Sequence, residues 1–93
     1  MPQGSVSNIP TRVTLTTTPQ LVSAQSSAKQ EVVLANDGTT AFYWGPTPAL
    51  ATSVTGFRVP GIDGAAMTIT SSGAVWASVA SGTQSISVAE FSR

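Results

Sequence analysis

The 93-residue chain contains no cysteine and no histidine. Without cysteine there is no disulfide and no thiolate metal site. Without histidine the commonest general base and the commonest metal ligand are missing together. Charge is scarce as well: charged residues make up 9% of the chain, against about 25% in ordinary globular domains. Arg12, Lys29, Arg58 and Arg93 balance Glu31, Asp37, Asp63 and Glu90, so the formal net charge is +0. So few scattered cations cannot neutralise a run of phosphates, which argues against a nucleic-acid partner. There is no polybasic patch for a membrane surface. No stretch approaches the roughly 18 consecutive apolar residues that a membrane-crossing helix needs. Residues 1–10 lack the basic start and apolar run of a secretory leader, so synthesis and assembly inside a cell are expected.

What the chain does have is hydroxyl groups, with 13 serines and 13 threonines. Hydroxyls suit exposed strand faces but do little to keep a protein monomeric, and a net charge near zero favours association. Much of the surface is therefore expected to be covered by copies of the chain or by a partner.

The pattern along the chain is that of short strands. Residues 1–10 are polar, bounded by proline and aperiodic, and read as an extended N-terminal arm. From residue 11 to residue 93 the chain reads as one domain. In residues 12–17, Val13, Leu15 and Thr17 alternate with Arg12, Thr14 and Thr16, which predicts a half-buried strand. A second short strand follows Pro19. Residues 31–35 form an apolar run with both faces at least partly covered. Asn36-Asp37-Gly38 then predicts a tight hairpin built on positive φ, and residues 40–44 its paired strand. Two prolines in Gly45-Pro46-Thr47-Pro48 force the chain out of the sheet. Further strands are expected at residues 56–60, 65–70, 74–80 and 84–91, with a last hairpin turn at Ser81-Gly82-Thr83. No segment holds a 3.6-residue period. The predicted fold is all-β: a single small, jelly-roll-like β-sandwich of seven or eight short antiparallel strands, preceded by the arm.

Candidate chemistry is thin. A serine nucleophile would need Lys29 as its base, and Ser26-Ser27-Ala28-Lys29 has the Ser-x-x-Lys spacing. One such match among so many hydroxyls is close to chance. Asp37 and Asp63 each precede a glycine and are explained as turn residues. No acidic run could hold calcium. No catalytic residue, cofactor site or metal site is therefore assigned. The aromatics carry more weight. Trp44 shares a strand face with Phe42, and both are expected in the core with Val32 and Leu34, since each large aromatic buries about 150–250 Å². Tyr43 and Trp76 are expected at a rim or subunit interface, where they could also form a sugar-stacking platform. The expected contact residues are Tyr43, Val33, Trp76, Pro46, Pro48, Arg58 and Ile62, together with the arm and the loops at residues 46–55 and 62–64.

Over residues 29–91 the order of short motifs resembles a family. Val-Val-Leu-Ala-Asn36 leads into a turn and Tyr43-Trp44-Gly45 follows. Val54-Thr55-Gly56-Phe57, Val59-Pro60-Gly61 and Met67-Thr-Ile-Thr70 come next. Gly73-Ala-Val-Trp-Ala77 and Val79-Ala-Ser-Gly-Thr83 precede an alternating last strand. This is similar to a group of small virion proteins of tailed phages. Their pattern runs Tyr-Leu-Gly-Gly, Val-Thr-x-x-x-Gly-Phe-x-Leu, Pro-Gly, a Thr-rich strand, Gly-x-Leu-Tyr-Ala and Ala-Ser-Gly-Thr. The chain departs from it at Trp44-Gly45-Pro46 and at Val75-Trp76-Ala77, and Pro60 stands where the family varies. The resemblance implies a non-enzymatic capsid decoration (cement) protein, commonly trimeric. Such a protein sits on the capsid surface of the virion, is assembled in the host cytoplasm and contacts the major capsid protein. It implies no catalytic residues. Two rival readings fit the same residues. One is a head- or tail-fibre module contacting a host receptor; the other is a carbohydrate-binding module that would take a glycan on its aromatics.

Overall fold

The computed structural model describes residues 11–92, with Ser92 described through its backbone. The predicted arm at residues 1–10 lies outside the described residues. Eight strands follow in order: β1 (Thr11–Leu15), β2 (Gln20–Ser23), β3 (Lys29–Asn36), β4 (Phe42–Gly45), β5 (Phe57–Val59), β6 (Ala66–Thr70), β7 (Val75–Val79) and β8 (Gln84–Ser92). A single 3-10 turn, Pro48–Leu50, lies between β4 and β5. It is the one helical element among the described residues, where no helix was expected.

The strands form two antiparallel four-stranded sheets, ordered β1-β8-β3-β6 and β2-β7-β4-β5. The chain enters the first sheet, crosses to the second, returns, crosses again for β4 and β5, and then alternates through β6, β7 and β8. This is the strand order of a jelly roll, a double-sheet β-sandwich, and it bears out the predicted fold.

The route between strands differs from the sequence expectation. Asn36-Asp37-Gly38 does not close a hairpin: β3 pairs with β6 and β8, while β4 pairs with β5 and β7. The turn carries the chain from one sheet to the other. Its residues have no positive φ; that conformation occurs at Gly64 and Gly82. Side-chain bonding shapes the turn instead. Asn36 is fully buried, donates from Nδ2 to the carbonyls of Thr40 (2.9 Å) and Pro60 (3.0 Å), and accepts the Gly38 N–H at 3.0 Å. Ser81-Gly82-Thr83 likewise crosses between sheets, joining β7 to β8, and is not a hairpin. Thr17, expected to extend the first strand, lies beyond it and is exposed.

The core lies between the sheets. Leu15, Val32, Leu34, Ile86 and Val88 face Phe42, Val59, Val75, Ala77 and Val79, all buried. The two-residue alternation read in the sequence produces this layer. Burying each of these side chains other than Ala77 contributes about 1.5–3 kcal/mol. Trp44 packs against the layer from its edge. Its Nε1–H donates to Met67 Sδ at 2.9 Å, and its ring stacks on Phe57 with centroids 4.9 Å apart.

Candidate functional site

Two places in this sandwich bring polar or aromatic side chains together. The first is a buried polar network at one end. Lys29 opens β3 and is 0% exposed. Its Nζ donates to Ser23 Oγ (2.8 Å), to the Ala24 carbonyl (2.9 Å) and to the Gly73 carbonyl (2.6 Å). Ser23, 2% exposed, donates its own hydroxyl hydrogen bond to Glu90 Oε2 at 2.5 Å. The network ties β2, β3, the β6–β7 connection and β8. Burial lowers the Lys29 pKa, and the Glu90 carboxylate acts in the opposite direction by favouring the charged form.

The sequence pairs Lys29 with Ser26, but the structure does not. Ser26 Oγ accepts the Ala28 N–H at 3.2 Å and shapes the turn before β3. The hydroxyl that meets the amine is Ser23, a partner that no spacing motif would single out. Three N–H bonds to three acceptors are the pattern of an ammonium. Such a group has no lone pair with which to take a proton from serine. Ser23 is also closed off from solvent. The arrangement is a serine-bridged ion pair that holds four chain segments together.

The second place is the outer face of the β2-β7-β4-β5 sheet. Tyr43 and Trp76, both half-buried, lie on this face. Tyr43 pairs with Ser78 of β7 and Arg58 of β5, and Trp76 pairs with Leu21 of β2 and Gly45 of β4. The β4–β5 connection, residues 46–56, folds back over the same face at Gly45 and Ser78. Its Ala51 is fully buried, and the Ala51 carbonyl accepts the Ser78 hydroxyl at 2.5 Å. The connection is braced internally: Thr55 Oγ1 donates to the Ala49 carbonyl (2.8 Å), and Gly56 N–H donates to the Thr52 carbonyl (2.8 Å). Gly45 permits this fold-back, since a Cβ there would run into the Leu50 carbonyl.

Of the expected contact residues, Tyr43, Trp76, Arg58, Pro46 and Pro48 thus gather on or over one outer face, with both prolines and Arg58 exposed. Val33 does not join them: it lies on the opposite outer face, between Thr68 and Ala89. Ile62 is 63% exposed in the β5–β6 connection. Five further exposed apolar residues were not named individually as contacts: Val54 at 90%, Phe57 at 61%, Leu21 at 47%, Leu50 at 46% and Phe91 at 39%, although Leu50 and Val54 belong to the expected contact loop of residues 46–55. Val54 and Leu50 lie in the connection itself, where no periodicity marks direction. Asp37, read as a turn residue, accepts the Ser87 hydroxyl at 2.8 Å and lies 3.7 Å from the Arg12 guanidinium. Asp63 is exposed in the β5–β6 connection. Among the described residues no cluster of three acidic, cysteine or histidine side chains could hold a metal, and no enclosed pocket opens. Comparison of the chain with protein-family models, with curated proteins and with solved structures finds no significant match to any of them.

Proposed function

We propose that the chain is a non-enzymatic structural protein of a tailed-phage virion. In this reading it is a capsid decoration subunit that associates as a trimer on the shell exterior and braces neighbouring major capsid subunits. The observation that carries the reading is the surface. A sandwich with so few charges presents hydroxyls, methyls and a braced connection bearing Leu50, Val54 and the two prolines, with Phe57 at the sheet edge. Such a surface suits burial against other subunits. Binding to the assembled shell would stabilise it by mass action. The motif order over residues 29–91 supports the same reading.

The test is the copy number in purified particles, with particle survival under heat or low salt measured with and without the protein. Hundreds of copies and a sturdier shell support decoration. Absence from particles ends the proposal.

A second reading rests on Tyr43 and Trp76 sharing one outer face. Stacked on a sugar ring, they would make the chain a fibre or receptor-contact module, or a carbohydrate-binding module outside any virion. Glycan-array binding that disappears in both Tyr43→Ala and Trp76→Ala would favour this reading, and a few to tens of copies per particle would place it in a fibre.

A further inference from the structure

We propose that the free edge of β6 is a self-association site, at which a second copy of this chain adds its own β6 antiparallel about Thr68. This inference stands whether or not the chain belongs to a virion.

A two-sheet sandwich has four edge strands, here β1, β6, β2 and β5. Exposed edges invite pairing with other chains, and folded proteins blunt them with charge, proline, bulges or short strands. Three of the four edges carry such a device. β1 bears Arg12, 76% exposed. β2 starts immediately after Pro19 and shifts register between Leu21 and Ser23. β5 is three residues long, centred on Arg58 and stopped by Pro60. β6, Ala-Met-Thr-Ile-Thr, has no charge, no proline and an unbroken register with β3.

The backbone of β6 is oriented for such pairing. Asn36 N–H donates to the Ala65 carbonyl (2.8 Å), and its own carbonyl accepts Gly64 N–H (2.7 Å). The Gln30 carbonyl accepts Ser71 N–H at 2.9 Å. Even-numbered β3 residues therefore direct their backbone groups at β6. In an antiparallel ladder this direction alternates. Val32 and Leu34 exchange bonds with Ile69 and Met67, which leaves the N–H and C=O groups of Ala66, Thr68 and Thr70 aimed outward. Among the described residues no strand receives them.

The edge is also self-complementary. Pairing about a two-fold axis at Thr68 places Thr68 opposite the partner's Thr68, and Ala66 opposite the partner's Thr70. Every outward donor then meets an acceptor. Met67 falls opposite the partner's Ile69, so the half-buried apolar side of β6 continues across the junction. The single Thr68–Thr68 pair on the other side favours the contact, and no charge opposes a like charge. The result is an isologous interface and a continuous eight-stranded sheet. In a trimeric protein the same contact would join one trimer to the next.

The test is the concentration dependence of mass for the full chain, by sedimentation and native mass measurement, with folding checked by circular dichroism. Wild type is expected to associate. Thr68→Lys and Thr68→Glu each set like charges opposite one another at an exposed position. Each should weaken association about fivefold or more. Mixing the two variants should restore it, and Thr14→Lys, on the far edge strand, should change nothing. If one Thr68 variant fails to fold, the other still reports. A wild type that stays monomeric at its highest soluble concentration overturns the proposal. So does a concentration dependence of mass that is unchanged from wild type in both Thr68 variants, whether the associating unit is a monomer or a trimer.

Discussion

Lys29 is the residue on which the most depends. A fully buried ammonium holding Ser23, Ala24 and Gly73 cannot be removed without leaving groups unpaired. Taking one partner out of a buried pair costs about 3–5 kcal/mol. Lys29→Ala is expected to lose that much in urea unfolding followed by tryptophan fluorescence. Lys29→Met keeps the apolar stem and should lose less, and Lys29→Met with Glu90→Gln less again. A loss under about 1 kcal/mol in Lys29→Ala would deny the network its structural role. The pH dependence follows from the same burial. In the unfolded chain this lysine keeps its proton up to about 10.5, and in the folded chain it releases it earlier. Between those two points the unfolded state binds more protons, so stability rises with pH there. Thermal unfolding from neutral pH up to 10.5 should show wild type gaining stability relative to Lys29→Met. A parallel pair of curves would refute it. None of this was legible in the sequence. Ser23, Lys29, Gly73 and Glu90 are separated by up to 67 residues, and only the fold brings them together.

At the scale of elements, the connection of residues 46–56 is positioned by what Gly45 lacks. Gly45→Ala would force a methyl group against the Leu50 carbonyl, a backbone atom that cannot swing aside. A loss of about 1–3 kcal/mol is expected, the range of overpacking. It is measured by thermal unfolding, and a neutral result would mean that the connection does not lie down on the sheet. Strand existence and facing were legible because alternation is local: Val32 with Leu34, and Ile86 with Val88, point inward as their spacing requires. Tyr43 and Trp76 were placed on an outer face by the same rule. Partner choice was not legible. Asn36-Asp37-Gly38 has the chemistry of a hairpin turn, but a crossing between sheets needs the same tight reversal. The buried bonds from Asn36 to Thr40 and Pro60 decide between the two, and they involve a segment 24 residues away.

At the scale of the whole molecule, almost every strand pairs with one distant in sequence. β1 pairs with β8, β2 with β7 and β3 with β8; β4 with β5 is the one sequence-adjacent pair among the described strands. Sandwiches of this kind pay loop-closure entropy before their contacts form, and they fold in about milliseconds to seconds. Stopped-flow refolding followed by tryptophan fluorescence should fall in that range. A microsecond phase carrying the whole amplitude would show that local structure forms first after all. Either sheet is complete only when strands from both halves of the chain have arrived, so stability should be lost in one cooperative step.

The pairing of β1 with β8 also decides how the molecule bears force. Thr11 lies opposite Val88, and β8 runs on past it to Ser92, so the chain leaves both strands at the same end of the sheet. A pull applied there would unzip the β1–β8 ladder one residue pair at a time, the weak way to load a sheet. A pull entering across the faces or along the β6 edge would instead be shared by many bonds at once. A domain built this way resists tension best when gripped by its flanks and poorly when tethered by its ends.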